Sequence, residues 1–210
     1  MGAAGAHLRR AVSRRLVPYR ELTTGLMGER YSGPPREQMD ASQAAIYDEI
    51  ARTRPRTGVR GPFRPWLVNP ALADGAQRLG RVVRFETSLG ARLTEVAILT
   101  VATHHASAVE RRIHEEEART VGVPDAIVAA LRAGDAAPPF DVAGDTEEAV
   151  RLAAAHAFVR ELLATSHATD ATYTAAVGAL GERGVVELIG LVGYYSLVAY
   201  TLNALRLTDG

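Results

Sequence analysis

The chain has 210 residues, with 24 basic and 24 acidic side chains, a formal net charge of zero and a pI near 7.0. That balance leaves no electrostatic footprint for nucleic acid or an anionic membrane. The absence of cysteine excludes disulfides, thiolate metal sites and every cysteine-based redox mechanism.

The length and a mean hydropathy of −0.02 fit one globular domain with a substantial core. Apolar residues recur at three and four rather than two, which predicts an all-α protein. Residues 1–34 read as a basic N-terminal arm ending at Gly33-Pro34-Pro35, and 35–210 as the helical domain. No continuous apolar run follows the basic N-terminal residues, so no signal peptide is expected and the chain reads as cytoplasmic. An amphipathic helix is predicted over 36–52, with Met39, Ala44, Ile46, Tyr47 and Ile50 among its apolar positions. The long Pro-, Gly- and Arg-rich loop Thr53 to Asn69 reads as functional or wrapping.

Asn69 and Pro70 fit the cap and first position of the next helix, which reaches about Glu86. Beyond Gly90, helices are predicted over 91–105 and 107–121, the second stopped by Gly122. Pro124 and Asp125 open a short helix ending near Gly134, and 135–144 form a loop. Thr146 is the expected cap of a helix to about Thr165, with Glu147 and Glu148 in its first turn. Two more helices are predicted over 169–180 and 184–205. The apolar run Leu188 to Leu202 is shorter than the roughly 20 residues a membrane span needs, and it reads as a core helix.

The chemistry concentrates between Glu95 and His114, which read as Glu-x11-Ser-x2-Glu-x3-His through Ser107 and Glu110. Polar groups that exchange protons are costly on a buried helix unless paired. Glu110 and His114 are four apart and share a helix face. A carboxylate beside an imidazole fixes its tautomer and raises its basicity, as a general acid or base requires. The expectation is that Glu110 bonds His114 directly or through one water, and that a turn near His105–Ala106 brings Glu95 to the pair. The alternative is a surface Glu–His pair, since Glu115, Glu116 and Glu117 follow directly.

His104 and His105 add two imidazoles on different helix faces. A zinc site from His105, Glu110 and His114 lacks any standard ligand spacing, so no metal and no cofactor are expected. Tyr194 and Tyr195 are phenols in an apolar helix and need partners or a pocket. Phe63, Trp66, Arg60 and Arg64 in the long loop are candidates to close a pocket and hold a carboxylate, or else to pack subunits. His156 and His167 have no motif context.

The stretch Arg92-Leu-Thr-Glu95-Val-Ala-Ile-Leu-Thr-Val-Ala-Thr-His-His105, continuing to Glu110-Arg-Arg-Ile-His114, resembles the carboxymuconolactone decarboxylase family, which shares its helical fold with the AhpD-type alkylhydroperoxidases. Gly61-Pro62-Phe63, Asn69 to Ala73, Leu89 to Leu93 and Gly193 to Val198 extend the likeness over about residues 60–206. The peroxidase branch carries two cysteines where this chain has Ser107 and Glu110, so the resemblance is to the cysteine-free branch. The common Tyr-Glu-Trp-x-x-His of that branch has Val109 and Arg111 here in place of Tyr and Trp.

The resemblance implies an AhpD-like fold and a homo-oligomer, trimeric or hexameric, with sites near subunit boundaries. It also implies a cofactor-free lyase acting on a small carboxylated lactone or enolisable acid. His114, Glu110 and Glu95 are the expected catalytic groups. Ser107, His105, His104, Tyr194, Tyr195, Trp66 and Arg64 are the expected substrate contacts. Two alternatives stay open: an isomerase, dehydratase or cyclase using the same site, and a non-catalytic oligomer that binds a small ligand. In every case the expected partner is a small molecule, not nucleic acid or membrane.

Overall fold

The computed structural model describes residues 28–54 and 58–208, and among these it is all-helical. The helices are α1 (Ala41–Thr53), α2 (Phe63–Trp66), α3 (Pro70–Phe85), α4 (Ala91–His104), α5 (Ala108–Thr120), α6 (Asp125–Ala133), α7 (Thr146–Thr165) and α8 (Asp170–Leu205). Single 3-10 turns lie at Arg36–Gln38 and Phe140–Ala143. Most of the arm expected at 1–34 falls outside the described residues. Residues 29 and 30 lie against the end of α8, where the Arg30 backbone N–H donates to the Leu205 carbonyl at 2.9 Å.

Local chemistry sets the helix ends. Asp40 opens α1 through a reciprocal capping box with Gln43, so the helix begins later than the predicted 36. Asn69 accepts from the Leu72 N–H with Pro70 at the first helical position, as expected. Asp145, not Thr146, caps α7 by accepting from the Glu147 N–H. The aspartate is the stronger acceptor and sits one residue earlier. Gly181 (φ 72°, ψ 166°) interrupts α8. Its N-terminal piece ends where predicted, and its long C-terminal piece starts two to three residues before Gly184.

The core helix is α4, buried at ten consecutive positions from Leu93 to Ala102 and packed against α5, α6, α7 and α8. Its burial on all sides explains why it carries no polar face. The α8 helix packs across α3, α4 and α7. By length and composition it could cross a membrane, but half of its most apolar window is buried inside the fold.

Candidate active site

The site begins with the turn between α4 and α5. Ala106 adopts a left-handed conformation (φ 52°). The Ala106 N–H bonds the Thr103 carbonyl, and the Ser107 N–H bonds the Ala102 carbonyl at 2.9 Å. This is a Schellman closure with alanine at the position where glycine is usual. It folds α5 back along α4, so residues far apart in sequence become neighbours.

Glu95 and His114 thereby meet: His114 Nδ1 lies 2.6 Å from Glu95 Oε2, both side chains buried. A carboxylate only accepts, so Nδ1 carries the proton and Nε2 is the free nitrogen. Glu110 approaches that nitrogen at 3.5 Å, too far for a good hydrogen bond. Its Oε2 has no hydrogen-bond partner among the described residues although it is buried. The orienting carboxylate is therefore Glu95 rather than Glu110, which corrects the sequence expectation. The i,i+4 spacing brings Glu110 to the imidazole, but the packed hairpin gives the shorter bond to Glu95. Burial pushes the Glu110 carboxyl above the usual carboxylate range; His114 and Arg84 pull it back, and Glu95 adds to the rise.

Above this pair lies a cavity of about 320 Å³, of the size that holds a small molecule. Glu110, His114, Tyr194 and Tyr195 line it, together with Arg54, Arg60, Arg84, Phe63 and Phe85. Tyr195 meets the His114 ring edge-on at 5.2 Å, and Tyr194 meets Tyr195 at 5.3 Å. Burial pushes Tyr194 up to about 12 and Tyr195 well above its ordinary value. Both phenols therefore stay protonated and are available as donors. Gly80 makes room for the Tyr194 hydroxyl, which a Cβ at that position would strike.

Arg84 was not anticipated. Its guanidinium lies 3.5 Å from Glu95 Oε1, opposite the oxygen that holds His114. Burial opposes its charge, but Tyr195, Glu95, Glu117 and Glu110 around it raise it above its usual value. A signal existed: Ala73, Ala76, Gln77, Gly80 and Val83 form the buried face of α3, and Arg84 continues that face by helical spacing. Arg54, also missed, stacks over the Phe63 ring at 4.3 Å at the end of α1.

Several expected contacts lie elsewhere. His105 and Ser107 belong to the turn, about 15 Å along α4 from Glu95 in the case of His105. His105 Nε2 is 3.0 Å from Ser196 Oγ, and Ser107 is fully buried without lining the cavity. His104 lines a separate, smaller cavity with His156 and Arg160. Trp66 donates from Nε1 to Thr201 Oγ1 at 3.0 Å and packs edge-on against Tyr194, so it supports the pocket from behind. Arg64 does not line the cavity, and Arg60 from the same loop does. Among the described residues, no group of three or more His, Cys, Asp or Glu side chains is placed to hold a metal.

No protein-family profile and no curated protein matches the sequence. Solved structures do match in shape. An uncharacterized peroxidase-related protein from Silicibacter sp. TM1040 superposes with a TM-score of 0.67 at 11% identity, over 89% of this chain and 96% of that one. A variant of the debrominase Bmp8, solved in complex with 2,3,4-tribromopyrrole, superposes with a TM-score of 0.65 at 12% identity, over 86% and 91%. At such identity the likeness concerns the fold, and it supports the resemblance at that level: the chain has the all-helical, AhpD-like fold.

Proposed function

We propose that this protein is an enzyme of small-molecule metabolism, a lyase that removes carbon dioxide from a small carboxylated lactone or related enolisable acid. The observation that carries the reading is the buried Glu95–His114 bond with its free imidazole nitrogen turned to an arginine-lined cavity. In this reading Arg54 or Arg60 holds a substrate carboxylate. The carbon–carboxylate bond breaks, and its electron pair passes into a conjugated enolate. Tyr195, protonated and buried, donates to the developing oxyanion. Glu110, whose carboxyl burial raises above the usual carboxylate range, returns a proton to carbon, and His114 re-supplies it from solvent through Nε2. Arg84 balances the charge of Glu95, so the resting cluster buries one ion pair rather than a lone anion.

The same geometry favours one rival. A carboxyl raised by burial beside a free imidazole nitrogen can serve as acid and base side by side, which suits an isomerisation, dehydration or cyclisation without loss of carbon. The test is turnover of a panel of unsaturated lactone and β,γ-unsaturated acids with carbon dioxide followed directly. Release of one equivalent per turnover supports the lyase. Turnover without release supports the rival. No turnover across both substrate sets, with stoichiometric binding of one of them, overturns both in favour of a ligand-binding protein.

A further inference from the structure

A second cavity lies at the other end of α4. It measures about 190 Å³ and shares no lining residue with the candidate active-site cavity. Thr100, Thr103 and His104 reach it from one face of α4, at helical spacing. His156, Arg160, Leu163 and Ala164 reach it from one face of α7 by the same period. Leu131 closes the space from the end of α6, and α4 packs on both α6 and α7. Helices, not a loop, therefore set its shape.

The lining has one sign of charge. Among the described residues that form it, Arg160 carries a full charge and none is acidic. Arg160 Nη1 donates to the Gly134 and Asp135 carbonyls at 2.7 and 3.0 Å, which fixes the guanidinium without pairing it with a carboxylate. Glu161, next on α7, is engaged by Thr169. The other guanidinium N–H groups are left to donate. His104 stands edge-on to His105 at 4.9 Å, and neither of its ring nitrogens is hydrogen-bonded within the described residues. His105 is itself held by Ser196 and Asn203. The remaining polar groups are already engaged: Thr103 Oγ1 donates to the Leu131 carbonyl, and His156 is taken up by Thr100 and the Asp135 carbonyl. Two unused donors from two helices thus face a space whose other walls include Leu131 and Leu163.

We propose that this second cavity binds a small organic anion, a monocarboxylate on a short apolar or single-ring body. The carboxylate pairs with the Arg160 guanidinium, whose planar fork fits it, and takes the His104 N–H as a further donor. The apolar body lies against Leu131 and Leu163. A cavity of about 150 Å³ holds benzene, so 190 Å³ takes one ring with its carboxylate and little more. The site stands apart from the catalytic reading, because His104 lies about 13 Å along α4 from Glu95.

Benzoate is the probe, with benzamide and inorganic phosphate as controls. Nitrogen-15 NMR of the full chain follows each titration, with the His104 and Arg160 side-chain signals assigned by substitution. Benzoate should shift both signals saturably, and both controls should bind at least about tenfold more weakly. Arg160→Gln should weaken benzoate by about 10- to 100-fold, the loss expected for a hydrogen bond to a charged group. Ala164 lines the cavity and is exposed, so Ala164→Trp should block its mouth and keep the helical signal. If Arg160→Gln fails to fold because α6 loses its carbonyl partner, Ala164→Trp and the ligand series still decide. Benzoate held by Arg54 or Arg60 in the other cavity is reported separately by His114. Shifts confined to His114, equal responses to benzoate and either control, or undiminished binding by Ala164→Trp would each overturn the proposal.

Discussion

Two ends of α4 each bury an imidazole, and the two imidazoles are set up for different work. Near the N-terminal end, His114 gives Nδ1 to Glu95, lines a cavity, and has Nε2 3.5 Å from the Glu110 carboxyl, too far for a good hydrogen bond. Near the C-terminal end, His156 has both nitrogens occupied by uncharged groups, Nδ1 with Thr100 Oγ1 at 3.0 Å and Nε2 with the Asp135 carbonyl at 3.1 Å. Burial holds His156 below its ordinary value, against the pull of the Asp135 bond. Residue type and burial alone therefore do not make a proton-transfer group. In the proposed reading, a charged orienting partner on one nitrogen and an open approach to the other do.

Substitution at the two histidines should separate their roles most widely. His114→Ala should lower turnover per folded molecule by about 100- to 10,000-fold, with a loss of stability as well, because the buried Glu95 carboxylate loses its imidazole partner. His156→Ala should lower stability alone. It empties a buried site and removes the bonds to Thr100 and the Asp135 carbonyl, which costs about 1–3 kcal/mol, and turnover per folded molecule should be unchanged. Equal losses of activity in both variants would erase the distinction.

Glu110 sharpens the comparison with a smaller effect. Its carboxyl is raised by burial, so above the ordinary carboxylate range the folded state keeps a proton that the unfolded chain has released. Stability contributed by this group is therefore present at low pH and lost as pH rises through the raised value. Glu110→Gln removes that dependence. The melting temperature of the variant should gain on wild type as the solution is taken from mildly acidic to mildly basic, while turnover falls. A difference that does not change with pH would contradict a protonated, buried Glu110.

Much of this arrangement was legible in the sequence. The Asn69–Pro70 start, the stops at Gly122 and Gly134 and the all-α period are local signals, and local signals survive folding. The meeting of Glu95 with His114 was legible because both flank one turn. What failed was reach. His104, His105 and Ser107 sit close to His114 in sequence, but the antiparallel hairpin carries them to its far end. Trp66 and Arg64 share a loop with the cavity-lining Arg60, and a four-residue helix, Phe63–Trp66, turns Trp66 toward Thr201. Arg84 was hidden among the exposed arginines Arg78 and Arg81 of the same helix. Only its place on the buried face marks it.

The most direct test of the Glu95–His114 assignment needs no substrate. Nitrogen-15 NMR of the His114 imidazole, assigned by comparison with His114→Ala, reports which nitrogen carries the proton of the neutral ring. Nδ1 should carry the proton of the neutral ring, strongly hydrogen-bonded and lost or displaced in Glu95→Gln, and Nε2 should be the unprotonated nitrogen. A neutral ring protonated at Nε2 instead of Nδ1 would contradict the assignment.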